Sequence, residues 1–184
     1  MPDIELAGSF VIGGMLLLSI LSLNADIMET ATMNSLGTIA QKNATVIVSI
    51  LEYDIRKMGY KVPTGTEVIT DFTDSTITFL GDINDDNSVD IIRYYLGPTS
   101  EPSDTENPND RYLYRSVNGA ALDVALGMIS WELTYYNSAG ATTIIAADIR
   151  TIRISFTVET VIPFDETYGS ARWEGRFSPK NLRS

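Results

Sequence analysis

The chain has no cysteine and no histidine among its 184 residues. Without cysteine there is no disulfide staple, no thiolate metal site and no thiol nucleophile. Without histidine the imidazole-based triads fall away, and nearly all catalytic zinc sites go with them. Positive charge is also scarce. Thirteen Lys and Arg stand against 24 Asp and Glu, a net charge of −11. Phosphate binding needs clustered cations, so nucleic acid is not an expected partner. No Gly-rich phosphate loop and no nucleophile elbow occurs. Glu132 and Glu159 fall in strands whose apolar neighbours face the core, so both are expected to face solvent. Trp131 and Trp173 are expected as core or sheet-covering aromatics. No catalytic constellation emerges, and the expectation is a non-enzyme without a cofactor. Three classes survive: a membrane-attached structural protein, a binding module, or an enzyme working with carboxylates alone or with a metal.

What the sequence does have is divided unevenly. A mean hydropathy of +0.03 conceals a very apolar first quarter. Residues 6–23 read LAGSFVIGGMLLLSILSL, and the uncharged stretch runs over 6–25 between Glu5 and Asp26. Twenty helical residues span about 30 Å, the thickness of a bilayer hydrocarbon core. The head MPDIE is acidic, whereas a secretory signal has a basic start and a shorter apolar run. The segment reads as a retained membrane anchor. A buried core helix is the alternative, but the run is long and apolar on all faces. The Gly13-Gly14 pair has three readings: a close helix–helix contact, a flexible point costing about 1 kcal/mol per glycine in water, or the ordinary abundance of glycine in membrane helices. Lys and Arg are too few beside the anchor to set its orientation.

The helix is expected to continue past the anchor. No proline occurs over residues 26–58, and the apolar positions Ile27, Met33, Leu36, Ile39, Ala40, Val46, Ile47, Ile50, Leu51, Ile55 and Met58 recur mostly at steps of three and four. Arg56 and Lys57 suit the negative end of a helix, Gly59 suits a left-handed cap, and Pro63 marks the break. One helix over about residues 3–58 would be some 80 Å long. The division is therefore 1–59, an extended helix with an anchor at about 6–25, and 60–184, a β-rich domain. The clearest strand is TIRISFTVETVI, in which Ile152, Ile154, Phe156 and Val158 alternate with polar residues. Other candidates lie in VITDFTDSTITFLGD, in SVDIIRYYLG with Ile92, Tyr94 and Leu96 on one face, in RYLYRSV and in MISWELTYYN. Sequential strands with short turns point to an α+β fold, an antiparallel sheet covered on one face by the amphipathic half of the helix.

Residues 82–110 hold eight acids and one base, Arg93. PTSEPSDTENPND is expected to be an exposed loop. In the turn GDINDDNS and its flank, Asp82, Asn84, Asp86, Ser88 and Asp90 fall at positions 1, 3, 5, 7 and 9 of a calcium-loop spacing. Asn87 stands where such a loop has its glycine, and Arg93 where it has a bidentate Glu. Three readings stay open: a solvated hairpin turn rich in Asn and Asp, a weak structural calcium site, or catalysis by these carboxylates.

The pieces together resemble the type IV pilins and the pseudopilins of secretion systems. The helix exit ILEYDIRKMGY is similar to that of the PilW-like minor pilin group, with Asp54, Ile55, Arg56, Gly59 and Tyr60 in a DIR-x-x-GY pattern. ITFLGDINDDNSVDIIRYYL and the ending RFSPKNLR are similar to further segments of that group. Ile4, Glu5 and Leu6 match the mature family start, although no leader precedes them, and Leu21, Ser22 and Leu23 occupy the region of the family proline.

The resemblance implies a subunit of a pilus-like or pseudopilus filament. Apolar helix halves would bundle inside it, and Glu5 would meet the N-terminal amine of a neighbouring subunit. A carboxylate in an apolar setting needs such a cationic partner. Implied partners are other copies or related pilin-like subunits, inner-membrane lipid before assembly, and assembly-platform proteins driven by separate ATPases. The implied location is the bacterial inner membrane with a periplasmic domain, or an extracellular filament. The alternative function is a membrane-anchored accessory subunit of a larger membrane or secretion complex.

Overall fold

One helix, α1 (Pro2–Lys57), runs unbroken for 56 residues, about 80 Å at 1.5 Å per residue. The computed structural model describes residues 2–183, and side chains over 8–182. No proline interrupts the helix after its first residue. Its hydroxyl side chains fold back onto its own carbonyls, as Ser19 Oγ does to Met15 O at 2.9 Å and Thr45 Oγ1 to Gln41 O at 2.8 Å. Such bonds let polar side chains sit on an otherwise apolar helix without an outside partner.

The helix stops where the sequence places its end. Gly59 takes φ +75°, the left-handed conformation that costs glycine nothing. Its N–H donates to Leu80 O at 2.8 Å, and Asn181 Nδ2 donates to Met58 O at 3.2 Å. Both ends of the β domain thus serve the helix C-terminus. Arg56 and Lys57 occupy the last turn.

The domain contains two antiparallel sheets where the sequence pattern leads one to expect a single sheet. The first is a meander in chain order: β1 (Ile69–Phe72), β2 (Thr76–Gly81), β3 (Asp90–Leu96), β4 (Leu113–Val117) and β5 (Ala120–Ala125). The second has β6 (Met128–Tyr136), β7 (Thr151–Glu159) and β8 (Ser170–Phe177), with β7 in the middle. β5 and β8 are additional to the strands expected from alternation. β5 is largely exposed and exists because Asn118 and Gly119, at φ 52° and 88°, form the tight turn that returns the chain onto β4.

One core joins helix and sheets. α1 contributes Ala40, Ala44, Ile47, Leu51 and Ile55, with Met58 just beyond its end, the first sheet Phe79, Ile92 and Leu113, the second Ile152, Ile154 and Phe156, whereas Ile27, Ile39 and Val46 of the expected stripe are exposed. Aromatic rings cross the junction: Tyr94 stacks on Trp131, Trp131 on Phe156, and Phe156 packs against Trp173, at 6.4, 6.3 and 5.3 Å between centroids. Trp131 and Trp173 hold the places expected of them. Ile92 and Tyr94 are buried and Leu96 is half-buried, on the face their alternation implies.

Most of the proline-rich loop is exposed as expected, but two of its residues are not. Asn107 and Asp110 within it are 2% and 1% exposed. Asn107 Nδ2 donates to Glu159 Oε2 at 2.8 Å, and Tyr168 OH donates to Glu106 O at 2.9 Å. These two bonds fold the loop down onto the end of β7 and the segment that leads into β8. Glu159 is therefore half-buried rather than open to solvent, while Glu132 is exposed as expected.

Candidate functional site

Among the described residues, the amino-terminal half of α1 leaves its large apolar side chains uncovered. Between Phe10 and Leu23 every large apolar side chain is at least 56% exposed, and Phe10 reaches 74%. The most apolar 18-residue window of the helix has mean hydropathy 1.9, and none of it is buried. Among the described residues, this is one helix long and apolar enough to cross a membrane. Removing a large apolar side chain from water stabilises by about 1.5–3 kcal/mol. For the whole segment the sum is on the order of 10 kcal/mol or more, so the segment requires an apolar environment. Gly13 and Gly14 lie within it, with no atom within 4 Å of where a Cβ would stand. Glu5 belongs to the first turns of α1, and its side chain lies outside the described residues.

The other half of α1 is bolted to the domain by one buried charge. Asp54 is fully buried. Arg115, from β4, reaches it with two parallel bonds, Nε to Oδ2 at 2.6 Å and Nη2 to Oδ1 at 2.9 Å. Tyr94, from β3, donates its hydroxyl to Oδ2 at 2.5 Å. Fork-to-fork pairing of this kind is strong and directional. The Asp54 hydrogen bond holds Arg115 firmly in its charged form. Burial, then the Asp54 charge, pushes the Tyr94 hydroxyl far above its ordinary value, so Tyr94 serves as a permanent donor.

The acidic turn between β2 and β3 docks against the helix exit. Lys61 Nζ donates to Asp82 Oδ2 and Asn87 Oδ1, both at 2.8 Å, and Lys57 Nζ to Asp85 Oδ2 at 2.6 Å. Tyr60 lies under both ammonium groups, 4.4 and 5.1 Å from its ring centre. Tyr53 OH adds a bond to Ile83 O at 2.7 Å. The Lys61 hydrogen bond holds Asp82 below the usual carboxylate range, and Lys57 does the same for Asp85. Both lysines are raised in return.

The five residues with calcium-loop spacing are mostly occupied by local bonds. Asp82 is buried and accepts the Asp86 and Asn87 N–H groups at 3.2 and 3.0 Å, besides Lys61. Asn84 accepts the Asp86 N–H at 3.0 Å, and Asp86 accepts the Ser88 N–H at 2.7 Å. Asp90 accepts the Ile83 N–H at 3.2 Å and Asn118 Nδ2 at 2.7 Å. Ser88 is exposed. Among the described residues no three acidic side chains are gathered as a metal would need. The arrangement orders a hairpin and pins it to α1.

Sequence reasoning placed Asp54 only within a helix-exit pattern and gave Arg115 no role. The available signal was an acid on the apolar stripe of a helix, which must find a cation in the domain. No family model matches the chain, and neither a curated protein nor a solved structure is significantly similar to it.

Proposed function

We propose that this chain is a structural subunit of a type IV pilus-like or pseudopilus filament, assembled through the apolar half of α1. The observation that carries the reading is one continuous helix with two opposite faces to its life. Its first half is apolar and uncovered, and its second is locked into a β domain by Asp54 and a buried stripe. Copies that share their apolar halves would shield them from water, with the β domains outside. Glu5 would set the register against a neighbour's amine, and Gly13 and Gly14 would let helices approach. Before assembly the same segment would rest in the bacterial inner membrane, with the domain on its outer side. The meeting of the helix exit with the chain's tail, through Asn181 and Met58, supports the pilin-like reading, because the most specific segments of the resemblance come together there.

A second reading keeps the helix in lipid as the anchor of an accessory subunit in a larger complex. Its support is the match between twenty uncharged residues and the hydrocarbon thickness. Photocrosslinking from position 16 in membranes and in sheared surface fractions separates the two. Ladders of this chain or its relatives in a repeating fibre support the filament. A single adduct with one unrelated membrane chain supports the accessory subunit instead.

A further inference from the structure

Each sheet has two edges, and in each sheet one edge is covered. The short 3-10 turn Ala146–Asp148 packs beside β1. In β6 the Leu133 N–H donates to Asp74 O at 2.7 Å, and Tyr135 O accepts the Thr143 N–H at 3.0 Å. β5 and β8 differ. Among the described residues, neither makes a backbone hydrogen bond beyond its ladder with β4 or β7. A free edge is a template for another strand, and proteins that avoid such pairing often place lysine or proline there. β5 and β8 contain neither.

The two edges are complementary in phase and direction. Successive residues of an antiparallel strand aim their N–H and C=O groups alternately to either side. The Asn118 N–H donates to Ile91 O at 2.9 Å, a phase that leaves Ala121 and Asp123 of β5 aimed outward. The Thr160 N–H donates to Gly169 O at 2.9 Å, a phase that leaves Arg172 and Glu174 of β8 aimed outward. β8 runs with α1: Gly169, just before it, lies against Leu36, and Asn181, beyond its end, bonds to Met58 O. β5 runs against α1: Leu122 faces Arg115, which grips Asp54, and Leu126, just after the strand, shares a pocket with Asn43 and Ile47.

We propose that the β5 edge of one copy pairs antiparallel with the β8 edge of the next copy, both helices pointing the same way. In this register Leu122 stands opposite Trp173, Asp123 opposite Arg172, Ala121 opposite Glu174 and Ala120 opposite Gly175. Outward backbone groups then meet outward backbone groups. Leu122, 64% exposed, covers the half-buried Trp173 on the helix side of the sheet. Asp123 and Arg172 are exposed and have no ion-pair partner among the described residues, and opposite charges facing across strands attract. A shift by two residues sets Asp123 against Glu174 or Ser170 instead, and a larger one runs past Phe177 at the end of β8. Because the two edges differ, the contact repeats from copy to copy rather than closing on a two-fold axis. It rests on the filament reading and names the contact between the β domains of adjacent subunits.

The chain has no cysteine, so introduced ones are unique. Hydrogen-bonded antiparallel partners stand about 5.5 Å apart at Cα, within disulfide reach. Full-length D123C and R172C, carrying tags of different mass, are made together in cells and oxidised in membranes and in sheared surface fractions. The expected product is a dimer of one D123C chain with one R172C chain, and the double variant D123C/R172C should give a ladder of multiples. Replacing R172C by E174C should lower the yield about tenfold, because a diagonal neighbour stands about 7–8 Å away. D123R should reduce the sheared fibre, and R172D in the same chain should restore it, because the charges then face each other in reverse. A dimer of D123C with itself overturns the pairing in favour of a two-fold contact. If position 16 crosslinks into ladders of this chain and the mixed cysteines do not, the filament stands and the edge contact falls. If neither gives ladders, the filament reading falls and the contact falls with it.

Discussion

Arg115 holds Asp54 across 61 residues of chain, with both carboxylate oxygens engaged at 2.6 and 2.9 Å. The bond joins the middle of a sheet to the inner face of the helix that the sheet must carry. Three side chains from three elements meet there, because Tyr94 also donates to Asp54. Removing one member strands a buried charge, whereas replacing the pair by apolar groups need not be harmful. Asp54→Ala or Arg115→Ala alone should therefore cost about 3–5 kcal/mol, seen as a fall of about 10 °C in thermal unfolding. The double variant Asp54→Leu with Arg115→Met should regain most of that loss. Additive losses in the double variant would show that the contact carries no coupling.

The Lys61–Asp82 pair sets a pH window. Asp82 lies below its ordinary value of 3.8 when folded, so its contribution is complete above that value and fades as pH falls through the lowered one. Lys61 lies above 10.5, so its contribution is complete below that value and is lost only as pH rises through the raised one. Comparing unfolding temperatures of the parent chain and Lys61→Met across pH should give a constant gap at intermediate pH that closes below pH 3.8. A gap that widens on acidification would contradict the assignment.

The acidic turn depends on two of its carboxylates far more than on its surface groups. Asp82 and Asp90 accept backbone N–H groups in buried positions. Asp82→Ala or Asp90→Ala should each cost about 1–3 kcal/mol, and should speed hydrogen exchange at the Asn87 or Ile83 amide respectively. Ser88→Ala, at an exposed position, should change stability by no more than about 0.5 kcal/mol.

Two glycines should respond in opposite directions. A Cβ on Gly81 would run into the Lys57 carbonyl oxygen, where β2 passes directly beneath the helix end. Gly81→Ala should destabilise by about 1–3 kcal/mol. Gly37 lies inside α1 with open space around it, and Gly37→Ala should stabilise the isolated chain by about 1 kcal/mol. Denaturant unfolding of both variants in the same detergent measures the contrast.

The long helix was legible because its cues are local. A proline-free stretch, a stripe at helical spacing and a glycine after two cations together locate its end within a residue or two. The alternation of β7 was equally plain, since Ile152, Ile154, Phe156 and Val158 are all buried. Two kinds of feature were hidden. β5 has small residues on an exposed edge, so its existence depends on the turn at Asn118 and Gly119 more than on any hydrophobic pattern. The buried polar groups depend on partners distant in sequence: Arg115 for Asp54, and Glu159 for Asn107. A composition of prolines and acids reads as solvent-exposed until one amide finds Glu159 from 52 residues away.

The continuity of α1 has a mechanical consequence. Above the last wholly apolar turn, Asp26, Glu29 and Thr30 stand exposed, so the rod runs bare for about 15 Å before the sheets take hold. Slippage at the upper end is prevented by the forked grip on Asp54. A twist applied to the apolar half of the helix would therefore arrive as rotation of the β domain, as in a crank whose handle is keyed to its shaft.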